Sequence, residues 1–382
     1  MLRILAALAL MNSSTSSSPL VPDTPDSLRA LAHAYYSWQQ TNYPVASSDQ
    51  GLHTWDDRLT DYRLPAVRTR RKHVELLLQR VRAMRTIDWG RDDQVDWLLF
   101  RAQLEGAAFF PRVLSPEESD PQLYVGEVSN GIFSLLKKEY APHRTRALAA
   151  AARLEAVPAL LEVARQNLRR PVRLYARLAI DAARGGDDLY TSSLMTLADQ
   201  LSAEERTRLD RARDAALAAL HQFADWLEAR LSTMPEWTPM GEANYNYLLK
   251  HVYLLPLDAT QVAMLGEAEL ARYRGLEAML SDPGLASPDP RRSTSIPADQ
   301  AAFLAAYEAR EQDLVDFLTA RRLVTIPSYL GRFEIRQLPE AFKPTSPGGF
   351  MNPPGLYDAD SSGFFFIPTY NPESGNFYIR AA

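Results

Sequence analysis

The sequence predicts a mainly α protein: an antiparallel multi-helix body with a small antiparallel β element near the C-terminus. Three observations carry that expectation. Across residues 26–326 apolar side chains recur at three- and four-residue spacing, and the breaks between those stretches hold Pro, Gly, Asp and Ser. Beyond Pro327 the pattern changes to strand-type alternation set among prolines and glycines. The chain divides accordingly into a signal peptide at 1–18, a helical domain at 26–326 and a small β and loop segment at 327–382.

The first helix is placed from an Asp26-Ser27 cap, with Leu28, Leu31, Tyr35 and Trp38 on one face. "VRTRRKHVELLLQRVRAM" and "DDQVDWLLFRAQLEGAAFF" repeat the period, the second opening on carboxylates that suit a helix N-terminus. Pro142, Pro158 and Pro171 punctuate a long Ala/Leu/Arg-rich stretch, each starting a helix or kinking one. In "LSAEERTRLDRARDAALAALHQFADWLEARL" Ser202 is the cap and Glu205 completes a capping box. After the "MPEWTPMG" loop come "EANYNYLLKHVYLL", a helix from Asp258 to Leu280 and another from Ala298 to Arg322. "RFEIRQLP" and "FFFIPTY" read as strands, and "NFYIR" at 376–380 reads as a further strand behind a Pro-Glu-Ser-Gly turn.

The chain has 382 residues, 46% hydrophobic and 23% charged, enough apolar material for a real core. The formal net charge is -5, from 42 basic and 47 acidic residues without a basic face, which speaks against nucleic-acid partners. With no cysteine, disulfides, thiolate-bound zinc and thiol catalysis are excluded. Met1-Leu2-Arg3, "ILAALALM" and "NSSTSSSP" have the layout of a secretory signal, too short to span a bilayer. A periplasmic or secreted protein without a membrane span is expected.

Phosphate-binding loops, nucleophile elbows and the His-Glu-x-x-His zinc motif are absent from the sequence. His221 and Asp225 stand four residues apart, a spacing open to a metal, but a hydrogen-bonded surface histidine accounts for it better. His73 and Glu75 point to different helix faces and read as solvated. Asp56-Asp57, Asp92-Asp93 and Asp187-Asp188 read as helix caps and first-turn carboxylates. No residue is assigned as catalytic or as a metal ligand. The C-terminal aromatics Phe350, Tyr357, Phe364, Phe365, Phe366, Tyr370, Phe377 and Tyr378 suit either the core of a small sheet or the wall of a groove.

Two stretches, "MGEANYNYLLKHVYLLPLDATQVAMLGEAELARY" and "SPGGFMNPPGLYDADSSGFFFIPTYNPESGNFYIRAA", resemble the bacterial DUF885 family. The first carries Gly241, Glu242 and Tyr245 in a helix-opening Gly-Glu-x-x-Tyr, then Gly266, Glu269 and Leu270 in Gly-x-x-Glu-Leu. The resemblance implies a helical, zinc-metallopeptidase-like hydrolase of the gluzincin type. It also implies that a helix with a His-Glu pair and a later His follows the counterpart of "GNFYIRAA", so that the chain corresponds to the N-terminal scaffold and substrate-cleft fragment. Zinc is expected in full-length members and no cofactor in this chain. On this reading the 376–380 strand pairs with a peptide or peptide-like substrate, and Tyr370, Asn376, Phe377, Tyr378 and Ile379 are the substrate-binding candidates. The alternative is a non-catalytic helical binding module that uses the aromatic C-terminal sheet.

The chain by itself is therefore expected neither to hold zinc tightly nor to hydrolyse peptides, because tight sites need three or four convergent donors. Elemental analysis after dialysis against a weak chelator checks this. Stoichiometric zinc would overturn it, and His221 with Asp225 would be the first pair to substitute.

Overall fold

A computed structural model describes residues 23–280, 297–327, 330–331, 333–339, 342–343, 348–359 and 362–371. The signal-like stretch 1–18 and the strand candidates Asn376, Phe377, Tyr378 and Ile379 lie outside the described residues. Among the described residues are twelve α-helices and a three-stranded sheet close to the C-terminus.

The first four helices are α1 (Pro25–Asn42), α2 (Pro44–Asp49), α3 (Leu64–Arg82) and α4 (Arg91–Leu114). The cap of α1 is Thr24 and not Asp26 or Ser27: its hydroxyl accepts from the Ser27 N–H at 3.2 Å. Pro25 explains the earlier start, since its fixed φ suits the first helical turn and its missing N–H has no partner to lose there. Leu28 and Tyr35 of α1, Val74, Leu78 and Val81 of α3, and Phe100 and Leu104 of α4 form one apolar cluster. The left-handed Ser115 ends α4 and leads into the short α5 (Pro116–Ser119).

The larger core lies among α6 (Gln122–Leu136), α7 (His143–Asn167), α8 (Arg173–Gly185) and α9 (Ala203–Glu228). Ala147, Ala150 and Ala151 of α7 and Ala212, Ala216 and Ala224 of α9 are buried in it, small side chains that let the long helices approach closely. Pro142 caps α7, which runs on through Pro158. The expected capping box is present on α9, with the Glu205 N–H donating to Ser202 Oγ at 3.2 Å and the Ser202 N–H to Glu205 Oε2 at 3.0 Å.

Gly241, at φ 84°, opens α10 (Glu242–Tyr247), which continues as a wider π-helical turn over Leu248–Val252. α11 (Ala259–Leu280) starts where the Ala259 N–H donates to Asn246 Oδ1 at 2.7 Å, and it has no buried residue among those described. Leu265, Leu270, Tyr273 and Met279 on it are all more than half exposed. α12 (Gln300–Arg321) is capped by Asp299 and buries Phe303.

The sheet is mixed. Of its strands β1 (Phe333–Gln337), β2 (Phe350–Asn352) and β3 (Gly363–Ile367), β3 lies in the middle, antiparallel to β2 and parallel to β1. The expected antiparallel pairing thus holds for β2–β3. The β1–β3 pair is parallel because the Pro/Gly-rich stretch between them is long enough for the crossover that parallel strands need. Phe364 and Phe366 of β3 are 2% and 3% exposed and pack with Phe350 and Phe342 around Phe133 of α6. These phenylalanines are core. The interlock is tight where a Cβ on Gly355 would come within 2.4 Å of the Gln50 carbonyl carbon, next to a Tyr357 N–H bond to Gln50 O at 2.8 Å.

At the centre, Arg153 of α7 is 1% exposed. Its guanidinium donates to Arg58 O at 3.0 Å, to Gly131 O at 2.5 Å, to Ser134 Oγ at 3.1 Å and to Ser48 Oγ at 2.6 Å. Replacing it by methionine roughly keeps the volume but leaves two buried carbonyls without their donor and the buried Asp56 without its nearest countercharge, and should cost about 3–5 kcal/mol. Urea denaturation of Arg153→Met is the check, and a loss below about 1 kcal/mol would show that the guanidinium is dispensable.

Candidate functional site

Helix α6 has two faces. Tyr124, Val125, Val128 and Ile132 face the core, while Leu123, Gly126, Glu127, Asn130 and Phe133 recur at helical spacing on the opposite side and line a cavity of about 450 Å³. Val45 and Asp49 of α2, Tyr62 of the connecting loop, and Phe350 and Asn352 of β2 complete the wall. The cavity therefore sits where the helical body meets the sheet.

The loop from His53 to Arg63 is buried at Asp56, Thr60 and Tyr62, and its inward-facing backbone groups need partners. Arg153 takes the Arg58 carbonyl, Arg70 the Asp61 carbonyl at 2.7 Å, and Asn167 the Tyr62 carbonyl at 2.8 Å. Glu127 accepts the Thr60 N–H at 2.7 Å through Oε1 and the Tyr62 hydroxyl at 3.3 Å through Oε2. Burial pushes the Glu127 carboxyl above its ordinary range, against the Thr60 hydrogen bond and the charge of Arg153. Burial and the neighbouring Glu127 also hold the Tyr62 hydroxyl well above its usual value, so it remains a donor. Asp49 is differently placed: Lys137 Nζ donates to its Oδ1 at 2.6 Å and to Asn352 Oδ1 at 3.3 Å.

The polar lining is thus mostly neutral. Carboxamides of Gln122, Asn130 and Asn352 each offer donors and an acceptor, Glu127 can accept or, once protonated, donate, and Val45, Leu123, Phe133 and Phe350 supply apolar walls. Such a lining suits a ligand that alternates amide-like polar groups with apolar ones.

Tyr370 is elsewhere. Its N–H donates to Gln300 Oε1 at 2.6 Å, its hydroxyl donates to the Pro297 carbonyl, and its ring stands 5.4 Å from that of Phe303, so it ties the end of β3 to the start of α12. His221 Nε2 pairs with Asp187 Oδ1 at 2.9 Å, and Asp225 accepts from Arg184 at 2.7 Å; the two share no point. His73 is not simply solvated, because its ring stacks on Trp38 at 4.2 Å. Asp56 is not a surface cap either. Burial pushes its carboxyl up, but hydrogen bonds from His53, Ser48 and Tyr140 outweigh that and hold it below the ordinary range. Among the described residues no three His, Asp or Glu side chains converge as a metal would require. Glu127, Tyr62, Asn130 and Asn352 are not marked by the sequence; the one signal is that Glu127 is the single charged residue of α6, beside Gly126.

The DUF885 family profile matches residues 44–380. The chain belongs to this family, described as bacterial protein of unknown function. The fold is similar to that of a solved structure from Shewanella oneidensis, that of a candidate lipoprotein of unknown function, with a TM-score of 0.67 and 19% identity. The match covers 92% of this chain and 67% of the Shewanella chain. No curated protein matches the sequence.

A group whose folded-state pKa is raised contributes stability below its unfolded value and loses it as pH rises through the folded one. Glu127→Gln removes that loss while keeping an acceptor for the Thr60 N–H. The variant should therefore gain thermal stability relative to the parent as pH rises from about 4 to about 7. Melting curves across that range test this, and a stability difference independent of pH would refute it.

Proposed function

We propose that the chain is the ligand-binding scaffold of a zinc-dependent, peptidase-like hydrolase of the DUF885 family, and that peptides or peptide-like compounds occupy the cavity between α2, α6 and β2. The observation that carries this reading is the lining itself: three carboxamides, Glu127 and the Lys137-paired Asp49 set among apolar walls match the alternation of amides and side chains along a peptide. Segment 376–380, with Asn376, Phe377, Tyr378 and Ile379, would extend the proposed substrate cleft on this view, whereas Tyr370, engaged with Gln300 and Pro297, stands apart from the cavity.

Zinc enters only through the resemblance. The described residues do not fit as a metal-binding set, so no hydrolytic step is assigned to them. In this reading the metal ligands belong to further polypeptide, for which the greater length of the Shewanella chain and the unburied apolar side chains of α11 give room. An extracytoplasmic location accords with the signal-like N-terminus and with the description of the Shewanella protein. No helix among the described residues is long and apolar enough to cross a membrane.

A second reading, a non-catalytic binding module, shares the same cavity, because Phe350 of the sheet forms part of its wall. The genomic sequence beyond the Ala382 codon separates the two: a His-Glu pair followed by a later His favours the hydrolase, and their absence favours the module.

Calorimetric titration with N-acetyl dipeptide amides tests the shared claim. Saturable binding is expected, weakened about tenfold by Asn130→Ala through the loss of a hydrogen-bonding pair. Absence of saturable heat, or unchanged affinity in Asn130→Ala, would remove the cavity from the proposal.

A further inference from the structure

A second cavity, of about 280 Å³, opens between α3, α4 and the end of α10. Its floor is apolar and rigid. The rings of Phe109 and Tyr247 stack at 5.4 Å with only 5° between their planes, and Leu78 lies beside them. Tyr247 is fixed by a polar knot around the buried Glu105: its hydroxyl donates to Glu105, and the half-exposed Arg82 donates to Glu105 Oε1 at 2.7 Å and to the Tyr247 hydroxyl oxygen at 2.8 Å. Arg82 and Glu105 thereby cancel each other's charge and are committed to the fold.

Two opposite charges on the wall remain uncommitted. Arg112 of α4 holds its guanidinium 5.6 Å from the Phe109 ring centre and 5.8 Å from that of Tyr247, an arrangement that orients it without neutralising it. Glu75 of α3 lines the same cavity. Neither side chain takes part in an ion pair or hydrogen bond among the described residues, and they do not pair with each other. Helices α3 and α4 run antiparallel, with Arg82 beside Glu105, so Glu75 and Arg112 fall at the same end of the groove, one on each wall.

We propose that this cavity binds a free α-amino acid with an apolar side chain. The ligand's carboxylate meets the planar guanidinium of Arg112, its ammonium meets Glu75, and its side chain lies on Phe109, Tyr247 and Leu78. A zwitterion is the ligand class that satisfies both wall charges at once, because an α-amino acid carries its two charges within a few ångströms of each other. The aromatic floor adds the preference for an apolar side chain. This site is separate from the cavity at the sheet and does not depend on the reading given to that cavity.

Titration with L-leucine, with N-acetyl-L-leucine and with L-leucinamide provides the test, since the two analogues each retain one charge. L-leucine should bind saturably and each analogue about tenfold or more weakly. Arg112→Gln and Glu75→Gln should each weaken L-leucine to a similar degree, and Arg112→Gln should bring L-leucine and L-leucinamide to equal affinity. Both substituted side chains are solvent-exposed, so circular dichroism and melting temperature are expected to stay at the parental values. The proposal is overturned by absent saturable binding, by blocked analogues that bind as well as L-leucine, or by affinity that survives both wall substitutions.

Discussion

The fold turns on one buried cation. A guanidinium is costly to remove from water, and Arg153 is tolerated at the centre of the helical body because its donors reach the carbonyls of Arg58 and Gly131 and the hydroxyls of Ser134 and Ser48. The nearest countercharge is Asp56, 3.9 Å away and itself bonded to Ser48, His53 and Tyr140. Asp56 is the weaker partner in distance but the necessary one in charge, since burial would otherwise leave a net positive centre. Arg153 thus draws together α2, the loop after it, α6 and α7, elements far apart in sequence. Hydrophobic packing alone has no means of setting the position of that loop so closely, because apolar contacts are not directional.

From this centre a second set of polar ties reaches the sheet. Lys137 at the end of α6 links Asp49 to Asn352, its carbonyl accepts from Arg336 of β1 at 3.0 Å, and Lys138 pairs with Asp358 at 2.7 Å. Between those ties the Phe133 ring meets Phe366 edge to face at 5.4 Å. The sheet is therefore held at its rim by charges and at its middle by rings. The cavity is the space left between the two sets, where Gly126 contributes no side chain.

Much of the helical architecture was legible in the sequence because its causes are local. Ser202 and Glu205 make their capping box within four residues, and the three- and four-residue spacing of apolar side chains marks a face whatever lies opposite. β1 and β3 were legible from alternation and from an apolar run. β2 was hidden, since three residues among prolines and glycines carry no period. Its pairing with β3 depends on aromatic partners on α6 that sequence spacing does not reveal. Arg153 and Glu127 were hidden for the opposite reason. A charged residue in a helix ordinarily signals the solvent face, and only tertiary contacts show these two turned inward.

The two cavities embody different electrostatic solutions, and the difference decides what each can select. At the sheet, Glu127, whose charge burial disfavours, and Asp49, whose charge Lys137 meets, stand among neutral amides, so a ligand there would be selected by hydrogen-bond geometry and by the protonation of Glu127. Beside Tyr247, the half-exposed Arg82 and the buried Glu105 are spent on each other, while Glu75 and Arg112 stay exposed and form no ion pair among the described residues. Exposed charges are screened over about 8 Å at physiological salt, whereas a buried carboxyl is screened far less. Ionic strength therefore acts on the second cavity and pH on the first. On the proposed readings, two such sites on one helical scaffold would discriminate between ligands by net charge distribution, with blocked or internal amides favoured at the sheet and free termini at the aromatic floor.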